Sequence, residues 1–387
     1  MTARVLLVLA GFLSFPACDA GTGGAGDGAA AGPILIGAPW PWEARKNLLY
    51  GQGLDMALEE INGAGGIHGR FLQILREDDR ETVDQGRIVA QKLAANPNVV
   101  AVIGHLQSFI TVPAAAIYDL AGVALLTPTS TDPGLTEQGY KMVFRATFTD
   151  RQVGSQMASL ALARKHRRVA IYYIRDRYGR GLANAFEETF GQNGGLVMDR
   201  QSYDPSGAAN SRPLAQLVDD WKGRELDAIF IAGEAPQAAL FIAEAHRRGL
   251  RVPVLGGDAL GTPELFAVDH RSVEGVTIAT PFHPDDSRPE VRRFDEAFQR
   301  RYGRRPDTAA ALAYDSLRLL AEGIRRARAA TRAEIGAGLR TVSKWPGVTG
   351  AFTFDEAGDL VSHPLVTAVA RDGRFAFVPN GAADAHE

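Results

Sequence analysis

Cysteine is almost absent from this chain. Cys18 stands alone, which excludes an internal disulfide and any cysteine-cluster metal site. Histidine is sparse too, with eight residues scattered along 387. Neither sign of charge dominates: the net of −3 gives no electrostatic footprint for nucleic acid or for broad attachment to anionic membranes. The signatures G-x-S-x-G, H-E-x-x-H and G-x-x-x-x-G-K-[ST] are all missing. Gly179-x-Gly181 opens a predicted helix, but Asn184 takes the third glycine position of a dinucleotide loop. No enzymatic activity, no cofactor and no metal are expected.

Hydrophobic residues make up 45% and charged residues 22%, ordinary values for a soluble globular protein. The length suits two domains, each able to bury a core. No 20–50-residue repeat suggests a solenoid. The first residues are distinctive. Arg4 precedes an apolar run, Val5–Phe15, that is too short to span a bilayer as a helix. Ala17-Cys18 follows, and the whole resembles the bacterial lipoprotein signal, in which the cysteine is acylated and becomes the mature N-terminus. A plain secretory signal with an incidental cysteine is the alternative. Residues 1–17 are therefore expected to be a signal peptide. Residues 18–32, rich in Gly, Ala, Asp and Thr, are expected to be a flexible tether to a lipid anchor.

From Pro33 onward, short apolar runs alternate with amphipathic stretches. Ile34–Ala38, Phe71–Leu75, Val99–Gly104 and Val123–Leu126 read as strands. Gly53–Ile61, Val83–Ala94 and Ser108–Leu120 read as the helices between them. After an extended piece at Met142–Arg145 the pattern restarts, with strands at Arg168–Ile174, Ala228–Ala232, Val252–Leu255 and Val276–Ala279. Helices at Arg288–Arg301 and Ala309–Ala327 are expected to return to the first lobe. Ala351–Phe354, Leu365–Arg371 and Arg374–Val378 read as closing strands, with Asp372-Gly373 a hairpin turn. The fold class is α/β, with two doubly wound parallel-sheet halves.

In such sheets ligands sit beyond the carboxyl ends of strands. The residues there are Trp40 and Trp42, then His105 to Ser108, then Thr127 to Asp132. The second half offers Asp176 and Tyr178, then Glu234, then Asp258. The hydroxyls of Ser108, Thr129, Ser130 and Thr131, near a helix N-terminus, suit a carboxylate. Asp258 and Glu234 suit an ammonium, and Tyr178 can cover an apolar body. Ser108 as a helix cap and Asp258 as a turn residue are the plain structural alternatives. His105, directly after a buried strand, is expected to be a hydrogen-bonded structural group.

Several ordered motifs carry a family resemblance. They are Glu60-Ile61-Asn62-x-x-Gly65-Gly66-Ile67-x-Gly69, Val102-Ile103-Gly104-His105-Leu106-x-Ser108, Leu126-Thr127-Pro128-x-x-Thr131, Tyr178-Gly179-x-Gly181 and Phe354-Asp355-x-x-Gly358-Asp359. Over residues 34–378 the chain resembles the periplasmic leucine/isoleucine/valine-binding proteins, type I solute-binding proteins of ABC importers. The resemblance implies two lobes joined by a multi-strand hinge: residues 34–146 plus 281–350, and 147–280 plus 351–379. It also implies a monomer in the periplasm or at the cell surface that delivers its ligand to a membrane permease. Ser108 and Thr131 would hold a ligand carboxylate, with Thr129, Thr131 and Asp258 holding the ammonium and Tyr178 lining the cleft. Glu234 departs from the family, which has tyrosine there, and Trp40 and Trp42 stand where the family is less aromatic. The expected ligand is amino-acid-like and carries an extra polar or cationic group that meets Glu234. A ligand sensor or regulator of the same fold is the alternative function.

Overall fold

The computed structural model describes residues 32–204, 212–361 and 363–378. The signal peptide, Cys18 and nearly all of the tether expected at the start lie outside the described residues.

The first sheet is built from β1 (Ile34–Trp40), β2 (Leu72–Asp78), β3 (Val99–Ile103), β4 (Ala124–Thr127) and β5 (Val143–Arg145). Its order is β2-β1-β3-β4-β5, and every pairing is parallel. Three helices connect these strands: α1 (Tyr50–Gly63), α2 (Val83–Ala95) and α3 (Ser108–Leu120). β3 lies between two neighbours with both faces covered, so all five residues of Val-Val-Ala-Val-Ile are buried.

The second sheet follows α4 (Asp150–Ala163). It contains β6 (Arg168–Ile174), β7 (Leu196–Tyr203), β8 (Ala228–Ala232), β9 (Val254–Gly256) and β10 (Thr277–Thr280), with α5 (Arg177–Gln192), α6 (Leu214–Lys222) and α7 (Ala235–Arg247) between them. The chain then supplies α8 (Pro289–Tyr302), α9 (Thr308–Arg326) and α10 (Arg332–Arg340). It ends in the two-residue pair β11 (Trp345–Pro346) and β12 (Ala351–Phe352), then β13 (Val366–Arg371) and β14 (Arg374–Val378). The second sheet runs β14-β13-β10-β9-β8-β6-β7, with β13 antiparallel to β10 and to β14. Asp372 and Gly373 both have positive φ, 50° and 74°, as the tight hairpin turn between β13 and β14 requires.

Each sheet is covered on both faces. Side chains of α1, α8, α9 and α10 form one core against the first sheet, and those of α2 and α3 form the other. In the second sheet α6 and α7 cover one face and α4 and α5 the other. α8 and α9 thus pack against the first sheet. α1 and α9 approach closely at Gly53, where a Cβ would lie 2.1 Å from the Ala310 carbonyl oxygen.

Two expectations need revision. The segment from Ala351, assigned to the second lobe, first packs in the other one: Phe352, Phe354 and Leu360 bury in the core that α1 and α9 share. Asp315 of α9 explains this. Its carboxylate accepts from Val348 N (2.9 Å), Thr349 N (2.7 Å) and Thr349 Oγ1 (2.8 Å), stapling the β11–β12 turn to α9. β7 is the second difference. Leu-Val-Met-Asp-Arg-Gln-Ser-Tyr, to which the apolar pattern assigns no element, is apolar only over its first three residues, because an edge strand buries little of either face.

Candidate functional site

Each sheet changes winding direction once, and the two points face each other. In the first sheet it falls between β1 and β3, in the second between β6 and β8. The loops leaving these strands line a cavity of about 140 Å³. A water needs roughly 10–15 Å³ on this measure, so the space equals about ten waters, the size class of a single amino acid. Among its lining residues are Trp40, Ser108, Thr129, Thr131, Tyr178, Glu234 and Asp258. Seven of the nine residues that the sequence proposes for binding therefore meet in one place.

On the first-lobe side, Ser108 begins α3 and is buried. Its hydroxyl accepts from Ser130 Oγ (3.2 Å) and lies 3.4 Å from the Asp132 amide. Thr129 Oγ1 reaches back to the carbonyls of His105 (3.0 Å) and Leu106 (2.9 Å), locking the two ligand loops together. The Thr131 hydroxyl is buried and has no partner. His105 lies behind these loops, with Nδ1 2.7 Å from Asp79 and Nε2 3.3 Å from the Tyr118 hydroxyl; it is a structural group.

Arg145 organises the same loop from below. It is fully buried and donates to the carbonyls of Ser130 and Asp132 (2.8 Å each), to Thr136 Oγ1 (2.9 Å) and to Asp359 (2.7 Å). Five fixed donors on one plane satisfy this set, which a lysine cannot do.

On the second-lobe side, Asp176 caps α5 by accepting from Gly179 N (2.8 Å). The Tyr178 hydroxyl donates to Asp258 Oδ1 (3.1 Å). Withdrawal from water pushes the Asp258 carboxyl up to about 6, against the opposing pull of that hydrogen bond. Desolvation likewise lifts Asp176 to about 6.

The remaining wall is apolar. Leu48, Leu106 and Leu312 line it with Trp40, whose ring stacks on Tyr50 at 3.7 Å. Trp42 and Ser130 do not line the cavity. Trp42 is turned back by its own indole, which donates to the Ala38 carbonyl (3.1 Å), and it carries the Arg76 guanidinium over its ring. Ser130 is spent on supporting Ser108.

Glu234 requires a different correction. Its carboxylate is already engaged by Arg45 Nη2 at 2.8 Å, and Arg45 Nε pairs with Glu81. Arg45 thus sets a protein cation against the carboxylate expected to meet an extra group on the ligand. Arg45 comes from the loop after β1, so this pair crosses the cleft. Arg177 to Asp132 (2.5 Å) and Asn47 to Glu264 cross it as well. Nothing in the sequence singles out Arg45, because its partner lies 189 residues away. The start of α9, from Asp307 to Leu312, also lines the cavity and went unrecognised. Among the described residues, no group of three or more His, Cys, Asp or Glu is placed to hold a metal, and no helix is long and apolar enough to cross a membrane.

Comparison with known proteins fits this geometry. A family described as periplasmic binding protein matches residues 48–374. The Leu/Ile/Val-binding protein of Escherichia coli is 30% identical over 312 residues, 80% of this chain and 82% of that protein. The leucine-, isoleucine-, valine-, threonine- and alanine-binding protein of Pseudomonas aeruginosa is 29% identical over 311 residues, 80% of this chain and 81% of that one. Among solved structures, an ABC transporter substrate-binding protein of Desulfitobacterium hafniense in complex with leucine superposes with a TM-score of 0.80 at 37% identity, covering 89% of this chain and all of that one. A branched-chain amino acid transporter substrate-binding protein of Streptococcus pneumoniae in complex with isoleucine gives 0.81 at 25% identity, covering 89% and 99%.

Proposed function

From the premise that the chain belongs to the periplasmic binding proteins of leucine/isoleucine/valine-binding type, we propose that it captures an aliphatic amino acid and delivers it to an ABC permease. Membership implies an extracytoplasmic location and a binding role in transport. The observation that carries the ligand class is the pairing of Glu234 with Arg45. With that carboxylate neutralised, the walls beyond the zwitterion contacts are Trp40, Leu48, Leu106 and Leu312. Ser108 and Thr131 would hold the carboxylate. Asp258 would hold the ammonium, with Tyr178 fixing its orientation. An extra cation on the ligand would meet Arg45.

Each lobe supplies only part of these contacts, so the ligand favours the closed arrangement by its differential affinity, and the permease recognises that arrangement. The protein acts as a monomer, and acylation of Cys18 would keep it at the membrane surface. Calorimetric titration with an amino-acid panel tests the ligand class. Leucine, isoleucine and valine are expected to bind at micromolar or lower Kd, and arginine, lysine and glutamate at least about 100-fold more weakly, the 2–3 kcal/mol range of an unpaired buried charge. Tight binding of arginine or lysine, or of no amino acid, would refute it.

A further inference from the structure

Next to the ligand cavity lies a second space of about 160 Å³, as large as the first. Gly261, Asp307 and Thr308 line both and stand between them. The other walls come from β10 (Ile278 and Thr280), the segment after it (Phe282 and His283), β13 (Ala368) and β14 (Phe375). α9, which begins at Thr308, packs on the first sheet, whereas β10, β13 and β14 belong to the second. The compartment, like the cavity, is therefore shared by the two lobes. Thr280 Oγ1 lies 3.2 Å from Thr308 Oγ1 and joins its two sides.

Small residues form the boundary. A Cβ at Gly261 would come within 3.0 Å of Ile278 Cδ1, so any side chain there would narrow the passage. Thr308 precedes Leu312 by four residues, which puts both on one face of α9, a turn apart. Leu312 belongs to the apolar wall of the ligand cavity. An apolar chain running along α9 from Leu312 therefore meets Thr308 and the opening beside it. The polar side chains of the compartment are already committed. Thr280 Oγ1 donates to the Phe282 carbonyl (3.1 Å). The Asp307 carboxylate caps α9, accepting from Leu49 N (3.0 Å) and Ala310 N (2.8 Å). His283 Nδ1 accepts from Asp285 N (3.2 Å), which leaves the ring proton on Nε2, 3.2 Å from the Phe375 carbonyl. Burial lowers the proton affinity of this imidazole and keeps it neutral. What remains to meet an occupant is apolar, and it includes the rings of Phe282 and Phe375.

We propose that this compartment receives the ring of an aromatic amino acid, so that phenylalanine is a ligand of this protein alongside leucine. This widens the aliphatic reading above and rests on it. The charged end of the ligand keeps its contacts in the first cavity. The side chain passes Leu312 and Thr308, and its ring lies against Phe282 and Phe375, in edge or offset contact of the kind that aromatic pairs favour. Leucine is too short to use this space, which then holds water.

The test is calorimetric titration with leucine and phenylalanine. Wild-type protein is expected to bind phenylalanine with a Kd within about tenfold of that for leucine; a cavity closed at Thr308 would reject the ring more strongly, since one excess methylene already costs about tenfold or more. Thr308→Leu plugs the opening and is expected to weaken phenylalanine at least about tenfold relative to leucine. Ala368→Val narrows the compartment from its far wall, at a residue that does not line the ligand cavity, and is expected to shift the ratio the same way. Thermal unfolding shows which variants are folded, and the wild-type ratio depends on neither. A wild-type Kd for phenylalanine more than about tenfold above that for leucine would overturn the proposal and leave the aliphatic reading standing. An unchanged ratio in folded Thr308→Leu or Ala368→Val protein would do the same. A wild-type protein that binds no α-amino acid would overturn the amino-acid reading itself, and this compartment's role with it.

Discussion

Asp258 gives the site a pH dependence whose sign follows from its environment. Its carboxyl is raised from 3.8 to about 6, chiefly by desolvation. The fold thus prefers the protonated form. Its contribution to stability is complete below the unfolded value of 3.8 and is lost as pH rises through about 6. Ligand binding runs the opposite way, because an ammonium needs the ionised form. Affinity for leucine is expected to fall by about tenfold or more between pH 7 and pH 5, as titration calorimetry at the two pH values would show. Flat affinity over that interval would remove Asp258 from the ammonium contact. At this scale the sequence was informative wherever a polar residue follows an apolar strand: Ser108, Thr129, Thr131, Tyr178 and Asp258 were all found that way, and all line the cavity. It was uninformative for Arg45, whose role depends on a partner supplied by the other half of the chain. It misjudged Trp42 and Ser130 because proximity to a strand end does not reveal which way a side chain turns.

The strand β5 and the loop before it form one element with Asp359. Arg145 carries this element, joining the carbonyls of Ser130 and Asp132 to a carboxylate that arrives from the far end of the chain. Breaking a buried pair leaves uncompensated polar groups, which costs about 3–5 kcal/mol. Arg145→Ala is therefore expected to lower unfolding free energy by that amount in urea titration and to weaken ligand binding, since the Thr131 loop loses its support. A loss below about 1 kcal/mol would show that the loop holds itself. The strands of both sheets were legible because parallel strands buried on two faces must be continuously apolar. β7 was not legible, since an edge strand has no such requirement. The placement of residues 351–360 was hidden for another reason: the decisive contact, Asp315 to the turn at Val348 and Thr349, is a buried side-chain clamp with no periodic signature.

Taken as a whole, the molecule is held shut by pairs that cross the cleft, Arg45 with Glu234 and Arg177 with Asp132 among them. Such pairs exist only while the lobes are together, so they add to the closed form and not to either lobe. They are part-exposed, which limits each to about 1 kcal/mol. Glu234→Gln is expected to speed ligand release about fivefold in stopped-flow measurements, with unchanged unfolding of the protein and a weaker salt dependence of release. Unaltered release kinetics would mean that closure is carried by the ligand alone. The order in which the chain supplies the cores has a further consequence. The first sheet is complete by Arg145, yet the helices α8, α9 and α10 that cover one of its faces begin only at Pro289. A growing or emerging chain therefore carries that apolar sheet face covered only by α1 through the synthesis of nearly the whole second half. That half, whose strands β6 to β10 and covering helices are contiguous in sequence, can assemble on short-range contacts, while the first waits for long loops to close. The lobe that is begun first therefore keeps apolar surface waiting for distant helices, and the second takes its two edge strands, β13 and β14, only at the end, so neither is complete until nearly the whole chain is made.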